Sequence, residues 1–249
     1  MRFVKQTSWA LALCVLGGAL SSVANAQNEQ VTRMKAALAS PDRPQADKDR
    51  DAARKPIETI QFLGIKTGQS VADLVAAGGW FTEVLSAAVG PKGKVYSQNP
   101  DFFVKQPGFM DREAAAVKRL GNVMPVHGDL PDSLNGKLDA ALTAQNLHDI
   151  YNMGGEDAAV AFLKDAYDAL KPGGVLGVID HVGIAGQDNK QFHRIPIDEA
   201  RAVIKKAGFK IEAESDMLHN PADDHTKVVR DPSVRGHTDQ FMIRARKPG

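Results

Sequence analysis

Four polar clusters in this 249-residue chain carry side chains that move protons or hold metal ions: His148-Asp149, Asp180-His181, His193-Arg194 and Asp223-Asp224-His225. Histidine titrates near neutral pH and is the usual general base, so His148 first and His181 second are the candidates to take a proton from a reacting group. Asp149, next to His148, joins them as a candidate catalytic residue. Each histidine could equally be a hydrogen-bonded loop residue that shapes a pocket. Together His148, Asp149, His181, His193, Asp224 and His225 could form a histidine–carboxylate metal site. No pair of them has the spacing of a helical zinc motif, so no metal ligand is assigned from sequence. Arg194 could clamp a carboxylate or phosphate, whereas Asp223 and Asp224 read as a solvated or salt-bridged loop.

A different chemistry is suggested by Val71 to Glu83, VADLVAAGGWFTE. An apolar run ends in small residues, Ala76-Ala77-Gly78-Gly79, and an amphipathic run follows. Small residues let a backbone approach a ligand, and a helix N-terminus offers free N–H groups. A tight strand-to-helix turn without a ligand fits the same residues. Trp80 reads as a core anchor or as the wall of such a site.

The elements that must position these groups follow from periodicity. Val71–Val75, Lys94–Gln98, Val123–His127, Leu138–Thr143 and Val175–Asp180 read as strands. Trp80–Val89, Asp111–Leu120, Glu156–Leu170 and Ile197–Ala207 read as helices, the third stopped by Lys171-Pro172-Gly173-Gly174. Alternation of this kind predicts a parallel sheet with helices on both faces. Phe209–Glu214 and Phe241–Arg246 alternate apolar and polar residues with no helix between them, which predicts an antiparallel pair. Ligands of open α/β sheets bind beyond the carboxyl ends of the strands, where the loop after Val75, His148-Asp149 and Asp180-His181 all fall. Before Ser70, Asp42–Lys55 reads as one exposed helix and Pro56 as the start of a second, ending at Gly64. Residues 27–69 thus form a helical arm, a candidate lid over the crevice.

The unit around Asp73 and Gly79 resembles the first motif of class I S-adenosylmethionine (SAM) dependent methyltransferases, with Val75 and Ala77 at the two other glycine positions. Gly93-Lys94-Val95-Tyr96 and Asn99 resemble the family's second strand and the residue that meets the ribose. Gly128-Asp129-Leu130 resembles the adenine loop, and Leu170 to Gly174 the segment before the fifth strand. Gly78-Gly79-Trp80, Asn146-Leu147-His148-Asp149 and Asn220 to Lys227 look like the exported predicted methyltransferases of bacteria. The resemblance implies a Rossmann-like three-layer α/β sandwich over residues 70–249. It has a seven-stranded, mostly parallel sheet and an antiparallel last strand. It also implies SAM as cofactor, held by Asp73, Ala77, Gly78, Gly79, Asn99, Asp129 and Leu130.

Residues 1–26 read as a secretory signal peptide: Arg2 and Lys5, an apolar run, then Ala24-Asn25-Ala26. The sole cysteine, Cys14, lies within it, so the processed chain would hold no thiol chemistry. Export to the periplasm of a Gram-negative bacterium, or secretion otherwise, follows as an expectation. The net charge of +1 and the lack of a basic stripe argue against nucleic acid, and no later run is long enough to span a bilayer. The oligomeric state is open. The function expected is methyl transfer from SAM to a small molecule. The alternatives are a non-catalytic ligand-binding protein with this fold, or a metal-dependent enzyme built on the histidine and aspartate clusters.

Overall fold

The computed structural model describes residues 11–249. An N-terminal region of four helices comes first: α1 (Leu11–Leu38), α2 (Gln45–Lys48), α3 (Asp51–Arg54) and α4 (Pro56–Leu63). Then follow β1 (Ser70–Leu74), α5 (Trp80–Val89), β2 (Lys94–Asn99), α6 (Asp101–Val104), α7 (Phe109–Leu120), β3 (Val123–His127) and β4 (Leu138–Ala144). The chain ends with α8 (Leu147–Ala169), β5 (Leu170–His181), α9 (Asn189–Phe192), α10 (Ile197–Lys206), β6 (Lys210–Ser215) and β7 (Gln240–Arg246). The seven strands form one sheet in the order β3-β2-β1-β4-β5-β7-β6. All pairs are parallel except those of β7, which runs antiparallel to β5 and to β6. This is the expected sheet, and the strand order reverses at β1, between β2 and β4.

Two apolar layers cover the faces. On one, α8 and α10 bury Leu163, Ala166, Val203 and Ile204 against Leu176, Val178 and Ile243. On the other, Val84, Leu85 and Ala88 of α5 join Met34, Leu38, Ile60 and Leu63 of the N-terminal helices over Val71, Val95 and Leu142. Gly177 makes that approach possible, because a Cβ there would stand 2.8 Å from Leu63 Cδ2. The N-terminal region is thus part of one layer rather than an appendage. Gln30 Nε2 donates to the carbonyls of Ile65 and Ala88, and Arg33 Nε to that of Ala87. These hold α1 on the end of α5 and satisfy carbonyls that a helix terminus leaves open.

Three segments differ from the sequence reading. The single helix expected over Asp42–Lys55 is two short ones, α2 and α3. The indole N–H of Trp80 donates to the carbonyl of Asp47 at 2.9 Å, an acceptor that a continuous helix would need for itself. The helix expected from Glu156 begins at Leu147, and Gly155 (φ 78°, ψ −176°) breaks it into two parts. The polar segment after Gln27 belongs to α1, which passes through Ala26 without a break. Residues 1–10 of the expected leader lie outside the described residues. Among the described residues no helix is long and apolar enough to cross a membrane.

Candidate functional site

The loop from β1 to α5 holds three successive odd positions in the left-handed region: Val75 (φ 53°), Ala77 (φ 49°) and Gly79 (φ 78°). Only glycine adopts this conformation without steric cost, and a β-branched residue does so least readily. The loop is held by side chains of the neighbouring strand. Gln98 Oε1 accepts from the Val75 N–H at 2.9 Å, and Asn99 Oδ1 from the Ala77 N–H at 2.7 Å. Gln98 Nε2 in turn donates to the Gly128 carbonyl at 2.6 Å, tying the β1, β2 and β3 ends together. Val75→Gly should therefore stabilise the protein. Relief of about 1–3 kcal/mol of backbone strain outweighs the entropy that glycine adds to the unfolded chain, leaving about 1 kcal/mol net. A rise in Tm of roughly 2–4 °C is expected in thermal unfolding, and an unchanged or lower Tm would refute the strain assignment.

Asp73 lies beneath this loop, buried, and accepts from Thr82 Oγ1 at 2.6 Å. Burial pushes its carboxyl up to about 7 against the pull of the Thr82 hydroxyl and of Arg54. Ala77, Gly78, Gly79 and Asn99 share a small cavity of about 50 Å³ with Phe109 and Val117 of α7. Asp129 is exposed at the β3 end, and the Leu130 N–H donates to Asp165 Oδ2 at 3.1 Å.

The histidines converge beyond β4 and β5. Asp180, with no exposed surface, accepts from His148 Nδ1 at 2.6 Å and from the His148 backbone N–H at 2.8 Å. It also accepts from the His181 backbone N–H at 2.8 Å. His148 Nε2 lies 3.2 Å from Asp149 Oδ1, and His193 Nδ1 lies 2.7 Å from the same oxygen. Burial opposes charge on His148, but the charge of Asp180 and the hydrogen bond of Asp149 outweigh it and raise its pKa. Burial opposes charge on Asp149 too, yet its bond to His148 draws it down to about 2. His181 is different: burial lowers it to about 3, so it is neutral, with Nδ1 2.8 Å from Thr238 Oγ1.

A cavity of about 780 Å³ opens over this cluster. Its far wall is α3, from which Arg54 reaches Gln145 Oε1 at 2.5 Å and lies over the rings of Trp80 and Phe81 at 4.9 and 5.7 Å. Burial lowers the Arg54 pKa to about 9, still protonated at neutral pH. Arg50, Arg230 and Arg235 line the same space. Two further lining residues, Gln145 (φ 63°) and His193 (φ 54°), are left-handed, a strain that tends to gather at functional sites.

The structure thus brings His148, Asp149, His181 and His193 to one cavity and the glycine-loop residues to another beside it. Arg194 is not available as an anion clamp. It is fully buried in a two-pronged pair with Asp223 at 2.9 and 3.0 Å. His225 pairs with Asp239 and Asp224 is exposed. Arg54 and Thr238 carried no sequence signal, since each is distant in the chain from its partner, Gln145 or His181. Gln145 adjoins the Asn146 to Asp149 segment, but as an uncharged residue it carried no signal of its own.

No protein-family model and no curated protein matches the sequence. Solved structures do match in fold. A SAM-dependent methyltransferase from Aquifex aeolicus is 19% identical over 79% of this chain and 97% of its own, with a TM-score of 0.53. An arsenic(III) SAM methyltransferase from Chlamydomonas reinhardtii is 19% identical over 87% of this chain and 73% of its own, at 0.53. The [4+2]-cyclase SpnF is 17% identical over 79% of this chain and 82% of its own, at 0.55. The fold is the Rossmann-like fold of class I methyltransferases, as the sequence led us to expect.

Proposed function

We propose that this protein binds SAM against the β1–α5 loop and transfers its methyl group to an anionic small molecule seated in the larger cavity. The observation that carries this reading is the loop backbone. Val75, Ala77 and Gly79 keep a three-glycine conformation although only one glycine remains. Strain of this kind persists where the backbone itself has a task, and letting a loop of small residues approach a ligand closely is such a task. Ala77, Gly78, Gly79 and Asn99 would hold the cofactor, with Asp73 bracing the loop from below. The 50 Å³ cavity beside them is smaller than the several hundred Å³ that a ligand of this size needs. Binding therefore includes an outward shift of α7, which closes that space.

The cationic lining decides the class of acceptor. Arg50, Arg54, Arg230 and Arg235 line the cavity against two acids, Asp49 and Asp149. A carboxylate would be drawn in and would arrive already deprotonated, so that displacement at the sulfonium methyl needs alignment rather than a base. SAM supplies the activated methyl group, and the residues of this chain orient the acceptor and exclude water.

A second reading, a small-ligand-binding protein with this fold, is favoured by one observation: Asn99 Oδ1 is occupied by the Ala77 N–H. Calorimetric titration with SAM and with S-adenosylhomocysteine separates the two. Micromolar binding of either is the expected result. No heat at millimolar ligand would sink the methyltransferase reading and leave the second.

A further inference from the structure

We infer that the cluster beyond β4 and β5 is a binding site for a divalent first-row transition-metal ion, ligated by His148 Nε2, Asp149 and His193 Nδ1. These three ligand atoms lie within 4.8 Å of one another. In a tetrahedral site with bonds of about 2.0–2.1 Å the ligand atoms stand roughly 3.3 Å apart. The 3.2 Å between His148 Nε2 and Asp149 Oδ1 already meets this, and the 2.7 Å between His193 Nδ1 and the same oxygen needs only a small opening.

The surrounding shell is what separates this cluster from a chance meeting of polar groups. A metal-bound imidazole commonly directs its other nitrogen at a carboxylate, which fixes the ring and raises its basicity. Asp180 does this to His148, and two backbone N–H groups hold Asp180 in place. The His148 ring is thereby locked with Nε2 towards Asp149. His193 is brought to the same point by the left-handed C-cap that it forms at the end of α9. The His181 ring lies 5.5 Å from that of His148, centroid to centroid, near enough to bound the site. Two imidazoles and one carboxylate suit zinc or ferrous iron better than calcium or magnesium. Three protein ligands leave at least one position for water or for an anionic ligand from the cavity. The ligand carboxylate Asp149 and the outer carboxylate Asp180 offset the charge of the ion.

The inference does not rest on SAM binding, and its test is made without SAM. The full chain is freed of metal with a chelator, dialysed and titrated with zinc chloride by calorimetry, and the product is analysed for bound metal. One equivalent with submicromolar Kd is expected, together with the d–d absorption of a tetrahedral or five-coordinate site when cobalt(II) replaces zinc. His193→Ala and Asp149→Asn should each weaken binding by at least about 100-fold, and Asp180→Asn by about 10–100-fold. Both ligand positions are partly exposed, so those variants should fold, as far-ultraviolet circular dichroism will check. His127→Ala, at the far β3 end beside Glu113, should bind zinc as tightly as the parent. No submicromolar binding, or binding that survives His193→Ala or Asp149→Asn in folded protein, would overturn the assignment.

Discussion

Asp223→Ala is expected to lower the free energy of unfolding by about 3–5 kcal/mol, among the largest effects that one substitution can have in this protein. Arg194 and Asp223 have no exposed side-chain surface. The guanidinium also donates to the carbonyls of Val182 and Lys227, at 3.0 and 3.2 Å. The carboxylate accepts from the N–H groups of Asp239 and His225, at 2.7 and 3.1 Å. One ion pair therefore joins the end of β5, the start of the α10 segment and both sides of the long β6–β7 loop. Removing the carboxylate leaves a buried cation with no counter-charge and two backbone donors without an acceptor. Desolvation of such groups, rather than the attraction itself, sets the size of the loss. The double variant Arg194→Met with Asp223→Leu should recover part of it, since a buried pair replaced by apolar residues often costs little. Urea unfolding of both variants gives the measurement. A loss under about 1 kcal/mol for Asp223→Ala would mean that water reaches the pair and that the loop is anchored elsewhere.

The same pair shows where sequence reading stops. The strands were legible because Val71, Val95, Leu142 and Leu176 sit in short apolar runs separated by helical periods. The antiparallel end was legible because Phe209 to Glu214 and Phe241 to Arg246 lack a crossover helix. The convergence of His148, Asp149 and His181 was legible as well, because adjacent parallel strands must deliver the residues after them to the same edge. Local spacing could not show that Arg194 is satisfied by Asp223, 29 positions later. Nor could it show that Arg54 crosses to Gln145, or that Asn99 turns its oxygen to Ala77. Such partners are fixed by tertiary packing and leave no periodic trace. The glycine loop is the reverse case. Val75 and Ala77 look like departures from a motif when read as letters, yet the backbone keeps the conformation that glycine would give it.

Asp73→Asn should remove a pH dependence of stability. The folded carboxyl titrates at about 7 because burial disfavours its charged form, whereas the same group ordinarily titrates at 3.8. Between these values the folded state holds a proton that the unfolded state has lost, so stability falls as pH rises. The contribution is fully present below the unfolded pKa, near pH 4, and is gone above pH 7. At about 1.4 kcal/mol per pKa unit the whole span is about 4 kcal/mol at most. The part between pH 5 and pH 8 is about 2–3 kcal/mol by the same conversion. The carboxamide of the Asp73→Asn variant would still accept the Thr82 hydroxyl without ever becoming charged. Its unfolding free energy in urea should therefore change less over that interval, and above pH 7 the variant should be the more stable protein. Equal slopes for the two proteins between pH 5 and pH 8 would show that Asp73 is charged in the fold, with Arg54 or solvent reaching it after all. The outcome bears on the loop above as well. A carboxyl near its midpoint at neutral pH, beneath a backbone strained at Val75 and Ala77, makes this segment the one whose local opening should respond most to pH. Hydrogen exchange at the Ala77 and Gly79 amides would then speed up on going from pH 6 to pH 8 by more than the intrinsic chemical rate requires.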